Sequence, residues 1–315
     1  MGQNSINSFL EKELDKRLPF GWYLLGSMIV ILFSFMGQFP MFFFMSGSSA
    51  ETVDPKNPMS IFAHLDPNLT LLLILIPFLV AFLGFVFVLK RIHKQSFLSV
   101  TTSRKAIDYD RFFFAFSFWA FVSILIIAID YFSAPQDFEI TFQLVPFLIM
   151  FTISVVLIPF QSGLEEYIFR GYLMQGFAKL TRNHWLPLVL TSVIFGLLHI
   201  FNPEVEKLGM GLLFYYIGTG LFFGVMTLMD DGIELALGFH IANNLFTALL
   251  VTADWTAFQT YSVLKDVSEP TLLPELILSL FILYPFSLFI LSKKYGWTNW
   301  KQKLTGRINE PKTEL

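Results

Sequence analysis

Residues 161–170 read QSGLEEYIFR and set two adjacent carboxylates and an arginine beside some of the most apolar sequence in the chain. Inside a bilayer each ionised group costs roughly 2.5–3.5 kcal/mol on insertion scales, so such groups usually face a protein interior and serve a function. Two later apolar segments each carry a histidine: His199 closes VIFGLLHIF, and His240 lies in GFHIANNLF with Asn244 four residues on. Glu166 and Arg170 stand at i,i+4 with the acid N-terminal, the better orientation for a helical ion pair. Glu165 points about 100° away around the same helix, which gives Glu166 to Arg170 and leaves Glu165 free to handle a proton. His240 and Asn244 share one helix face, where a histidine and an amide one turn apart can hydrogen-bond or ligate one small group. Asn243 looks off that face, and His64, His93 and His184 fall in loops or at an interface. Singly, these groups read as an interfacial salt bridge, a core histidine and a helix–helix hydrogen bond. Together they form a set that can activate a water and stabilise an oxyanion, the two requirements of peptide hydrolysis. Convergence requires Glu165 within about two hydrogen-bond lengths, ~6 Å, of a histidine ring.

The elements that must position these groups are apolar helices. The 315 residues are 14% charged and 55% hydrophobic, with 39 phenylalanines, whereas a soluble domain is about a quarter charged. This is the composition of a polytopic membrane protein: an all-α bundle forming a single domain over residues 1–315. The net charge of −3 offers nothing to nucleic acid, and the absence of cysteine excludes disulfides, thiolate metal sites and cysteine nucleophiles. Eight segments meet the requirement of about 20 mostly apolar residues per span: 20–45, 69–89, 111–132, 142–160 continuing through the motif, 185–201, 209–229, 232–252 and 273–292. The first is longer than the roughly 7–15-residue core of a signal peptide and is read as a span. Lysines and arginines alternate cleanly. Lys12, Lys16 and Arg17, the cluster from Lys90 to Arg111, Lys179 with Arg182, and the basic residues after Lys293 through Lys312 fall on one side, against Lys56, Lys207 and Lys265 on the other. By the positive-inside rule both termini are cytoplasmic.

One polar loop, 46–68, lies on the outer side, and no internal repeat is visible. Trp185, Trp255, Trp297 and Trp300 fall near predicted interfaces, as aromatic anchors do. The Gly220-x-x-x-Gly224 spacing allows close helix approach, read first as internal packing and second as oligomerisation. A straight helix over 142–180 would measure about 58 Å, too long for the hydrocarbon core, and Pro159 with Gly163 offers a break. The motif half is therefore expected to run obliquely or re-enter beside a wet cavity.

The ordered motifs Glu165-Glu166-x-x-x-Arg170, Phe195-x-x-x-His199 and His240-x-x-x-Asn244 resemble those of the CAAX protease and bacteriocin-processing family, which includes the type II CAAX prenyl endopeptidases. The likeness covers residues 142–252, which it marks as a catalytic core. It implies a multi-pass intramembrane endopeptidase, in the plasma membrane if the source is bacterial, that cleaves a membrane-associated peptide or protein tail. It further implies that Glu165 with His199 activates the water. In one version His240 and Asn244 bind the oxyanion without metal; in the other Glu165, His199, His240 and Asn244 surround a divalent ion, zinc with an open position fitting two histidines plus oxygen ligands. Two rival readings are a non-catalytic membrane scaffold, acting in bacteriocin immunity or envelope signalling, and an ion-coupled transporter. A transporter would be expected to show paired halves, which are not found.

Overall fold

The computed structural model describes residues 9–11, 14, 18–45, 62 and 64–308. Lys12, Lys16, Arg17, Lys56 and Lys312, and most of the predicted outer loop, lie outside the described residues.

Apolar runs with almost no interior charge become helices because a backbone in lipid must satisfy its own hydrogen bonds. α1 (Phe20–Gly37) and a short α2 (Phe39–Met45) lead to α3 (Pro67–Phe87), whose start is fixed by Asp66 accepting from the backbone N–H of Asn68 and Leu69 and by Pro67 in the first turn. After a π-helical turn at Val88–His93 come α4 (Phe97–Thr101) and α5 (Tyr109–Ser133), the latter capped by Asp108. α6 (Leu144–Glu166) continues through a π-helical segment, Tyr167–Leu173, into α7 (Met174–Thr181). α8 (Trp185–Leu197), α9 (Pro203–Leu208), α10 (Leu212–Asp230) and α11 (Glu234–Leu250) follow, then α12 (Leu272–Ile277), α13 (Tyr284–Tyr295) and α14 (Trp300–Thr305).

Every predicted span coincides with helix. Six of the eight are long and apolar enough to cross a bilayer by length and composition. The segments at 185 and 234 give shorter helices of 13 and 17 residues. Large apolar side chains stand exposed along the outside, Met28 and Phe35 on α1, Phe121 and Phe132 on α5 and Phe281 before α13 among them. Apolar surface on that scale belongs against lipid. The chain is an integral, multi-pass, all-α membrane protein.

The helical expectation missed one element, a small sheet in the order β1 (Phe138–Ile140), β3 (Leu264–Asp266), β2 (Val251–Thr252). β1 pairs antiparallel and β2 parallel to β3; strands of two or three residues are too short to show an alternation. α11 packs between α5 and α6, α10 lies along α8, and α3 bridges α1 and α6. The glycine spacing on α10 serves internal packing: a Cβ at Gly220 would stand 2.9 Å from Ser192 Cα, and one at Gly224 would collide with Leu188.

One end of the bundle collects segments far apart in sequence. Arg104 pairs with Asp230 at 2.7 Å and Glu234 at 3.2 Å, Lys303 donates to Met229 O, and Lys179 donates to Leu14 O. Trp297 belongs to this cluster and not to a lipid interface: it is buried, and its indole donates to Asp230 at 3.2 Å.

Candidate active site

The helix carrying Glu165 and Glu166 runs unbroken from Leu144 to Thr181, 38 residues or about 57 Å at 1.5 Å per residue. The expected break at Pro159 and Gly163 does not occur. α-Helix continues through both, with no re-entry, and the irregularity comes later, in the π-helical turns at Tyr167–Leu173. Such turns often sit at functional sites. The three residues between α7 and α8 reverse the chain. Glu165 stands about 24 Å before the end of α7 and His199 about 21 Å beyond the start of α8. Arms of similar length joined by so short a turn bring the two to one level, near enough for Glu165 to act on His199 electrostatically.

Glu166 is wholly buried. Its Oε1 accepts from Arg170 Nη1 at 3.1 Å and from His240 Nδ1 at 2.8 Å. Arg170, also wholly buried, gives Nη2 to the carbonyl of Gly220 at 3.1 Å. Its guanidinium lies 4.5 Å from the Phe195 ring and 5.4 Å from that of Phe223. Stacking on phenyl faces with a carboxylate alongside is how a guanidinium survives without water.

Glu165 sits differently. Its side chain keeps 16% of its surface. Oε1 accepts from Gln161 Nε2 at 2.7 Å, while Oε2 is buried with no hydrogen-bond partner and lies 3.6 Å from His240 Nε2. Such an unsatisfied oxygen calls for a ligand or a role. His240 thus stands between the two glutamates, with its ring stacked on Phe223 at 4.9 Å.

His199 is oriented by its own helix. A carbonyl can only accept, so the 2.7 Å contact from Nδ1 to Phe195 O puts the proton on Nδ1 and leaves the Nε2 lone pair available. Tyr216 stacks on the ring at 4.2 Å, and Glu165 and His240 lie close enough to act on it electrostatically. Phe195 serves all three partners: its carbonyl orients His199, and its ring faces His199, His240 and Arg170.

Glu165, Glu166, Arg170, His199 and His240 therefore share one neighbourhood, and Asn244 joins it by another route. Its Nδ2 donates to Gln161 Oε1 at 2.9 Å and Ser162 Oγ at 3.1 Å, and its Oδ1 accepts from Asn243 at 3.1 Å. Asn243, expected to look away, is instead hydrogen-bonded to Asn244 and to the indole of Trp119 at 2.9 Å. A residue adjacent in sequence still lies within amide reach. Sequence reasoning gave no role to Gln161, Tyr216 or the Gly220 carbonyl. For Gln161 a signal existed, its position one helical turn before Glu165. For the other two there was none.

Among the described residues no three histidine, aspartate or glutamate groups stand where they could share a metal ion. Both histidines spend Nδ1 on an acceptor, as metal-ligating histidines also do, so the misfit lies in the lack of a converging third group. This donor set does not fit a metal centre as arranged, and no step below passes through one.

Residues 143–246 match the family described as type II CAAX prenyl endopeptidase, Rce1-like. The uncharacterized protein YyaK of Bacillus subtilis (strain 168) is 31% identical over 191 residues, covering 59% of this chain and 63% of that protein. The chain thus spans less than two thirds of that curated relative. No solved structure matches. The chain is a multi-pass membrane protein whose residues 143–246, which hold all six predicted site residues, are similar to the Rce1-like type II CAAX prenyl endopeptidases.

Proposed function

We propose that the chain is an intramembrane endopeptidase that hydrolyses a peptide bond in a membrane-associated peptide or protein tail, with Glu165 as the base that activates water. The observation carrying this reading is the contrast between neighbouring carboxylates. Both carboxylates leave Oε2 without a hydrogen-bond partner, but wholly buried Glu166 is neutralised through Oε1 by Arg170 and His240. Glu165 instead meets only the neutral Gln161 amide at Oε1, keeps part of its surface and turns Oε2 toward His240 Nε2 at 3.6 Å. A water held between Glu165 Oε2 and the two rings gives its proton to that oxygen as its own oxygen bonds to the carbonyl carbon. His240, anchored through Nδ1 on Glu166, turns Nε2 toward the reacting oxygen and as an imidazolium donates to the oxyanion. The carbon–nitrogen bond then breaks, and the proton passes from Glu165 to the leaving amine. The end gathering Arg104, Lys179 and Lys303 is proposed to face the cytoplasm, as positive charge favours.

The test is cleavage of a prenylated peptide ending in a CAAX sequence, and of its unprenylated counterpart, by the full chain reconstituted in vesicles. Glu165→Gln is expected to lower the rate by about 10²–10⁴-fold, the contribution of a positioned general base. Cleavage undiminished in that variant would remove Glu165 from the mechanism.

A further inference from the structure

Four side chains from three helices form a single file of hydrogen bonds that ends on Glu165. Trp119 Nε1 on α5 donates to Asn243 Oδ1 at 2.9 Å, and Asn243 Nδ2 donates to Asn244 Oδ1 at 3.1 Å. Asn244 Nδ2 donates to Gln161 Oε1 at 2.9 Å, and Gln161 Nε2 donates to Glu165 Oε1 at 2.7 Å. Both ends dictate the direction. An indole N–H can only donate, and an ionised carboxylate can only accept. Every amide between them must turn its oxygen toward Trp119 and its nitrogen toward Glu165, because flipping one sets donor against donor on one side and acceptor against acceptor on the other.

Ser162 locks the arrangement by accepting from Asn244 at 3.1 Å and donating to Gln161 Oε1 at 2.9 Å. Trp119, Gln161 and Ser162 are buried and Asn243 and Asn244 half-buried, and aligned bonds in a low dielectric polarise one another. Both N–H groups of Asn244 are engaged, one on Gln161 and one on Ser162.

We propose that Trp119, Asn243, Asn244 and Gln161 form a polarised relay that fixes the Glu165 carboxylate with Oε2 turned toward His240. Asn244 and Gln161 thereby act as positioning residues for Glu165. The proposal rests on Glu165 being the base, and the experiment separates the two claims.

The full chain, ¹⁵N-labelled at its tryptophan indoles and held in detergent micelles, is examined by NMR, with the Trp119 N–H resonance assigned through Trp119→Phe. Gln161→Met is expected to shift that resonance although two amides separate the side chains. Asn243→Asp keeps the acceptor for Trp119 but sets an oxygen against Asn244 Oδ1. It should therefore lower kcat on the prenylated CAAX peptide about 10²-fold, as misplacement of a reacting group does, with KM nearly unchanged. A Trp119 resonance moved by Asn243→Asp but unmoved by Gln161→Met would overturn the relay, as would an unchanged kcat in Asn243→Asp. If Gln161→Met fails to fold, Asn244→Leu carries the same indole readout. Cleavage that survives Glu165→Gln refutes the base assignment alone, because the indole shift is read without turnover.

Discussion

Replacing Arg170 with methionine tests whether the Glu166–Arg170 pair holds the bundle together. The guanidinium has no water to turn to: its side chain is wholly buried, with one carboxylate and one carbonyl each at 3.1 Å and phenyl rings around it. Removing one partner of a buried ion pair costs about 3–5 kcal/mol, because the charge left behind stays desolvated. Here His240 Nδ1 would still donate to Glu166 at 2.8 Å, which places the loss near the lower end, about 3 kcal/mol. The abandoned Gly220 carbonyl adds about 1 kcal/mol. The sum, about 4 kcal/mol, is a shift of several hundredfold in the folding constant. Reversible unfolding in mixed micelles of rising SDS fraction, followed by far-UV circular dichroism, measures it. The double variant Glu166→Gln/Arg170→Met removes both charges and should cost less than the two single changes added together, with a coupling of roughly 1–3 kcal/mol. A loss below about 1 kcal/mol, the range of an exposed pair, or strict additivity would refute the reasoning.

Three further expectations can be checked. Gly220→Ala sets a Cβ 2.9 Å from Ser192 Cα and 3.0 Å from its carbonyl, so overpacking should cost about 1–3 kcal/mol in the same unfolding assay. Glu204, on the short helix after His199, has its carboxyl pushed above the usual range by burial, partly opposed by the Ala257 N–H that it accepts. A raised folded-state value contributes stability below the unfolded value of 4.5 and loses it as pH rises through the folded one. Glu204→Gln should therefore stabilise the protein at neutral pH, with an advantage in thermal midpoint that shrinks on acidification below that value. Dialysis against a chelator is expected to leave cleavage of the prenylated peptide unchanged, because the described donors do not converge on an ion. Loss on dialysis with recovery on adding zinc would contradict this.

The helices were legible because lipid demands long apolar runs, and the starts of α3 and α5 carry aspartate caps that can be read directly. Glu165, Glu166, Arg170, His199 and His240 could be singled out because ionisable groups stand out against such runs. What could not be read was which atom each group spends on which neighbour. Asn244 and His240 share a helix face, yet one turns to Gln161 and the other to Glu166, a choice set by how α11 lies against α6. Asn243 shows the same limit, since helical phase predicts direction for a side chain's root and not for its amide. The expected break at Pro159 failed for another reason. Proline forfeits one N–H bond and crowds the preceding turn, but α-helix still runs through it.

The hairpin formed by the helix ending at Thr181 and the helix starting at Trp185 behaves as a depth gauge with two matched scales. Removing one residue from either arm would swing its reactive group through about 100° and slide it 1.5 Å against its counterpart. Removing a near-whole turn of four residues from both arms would keep Glu165 and His199 facing each other but slide them about 6 Å toward the hairpin bend, away from His240 and Asn244 on α11. Because His240 and Asn244 stand on α11, outside the hairpin, the depth of Glu165 and His199 in the lipid cannot be reset by changing the two arms alone, and any such change must be matched by a shift of α11.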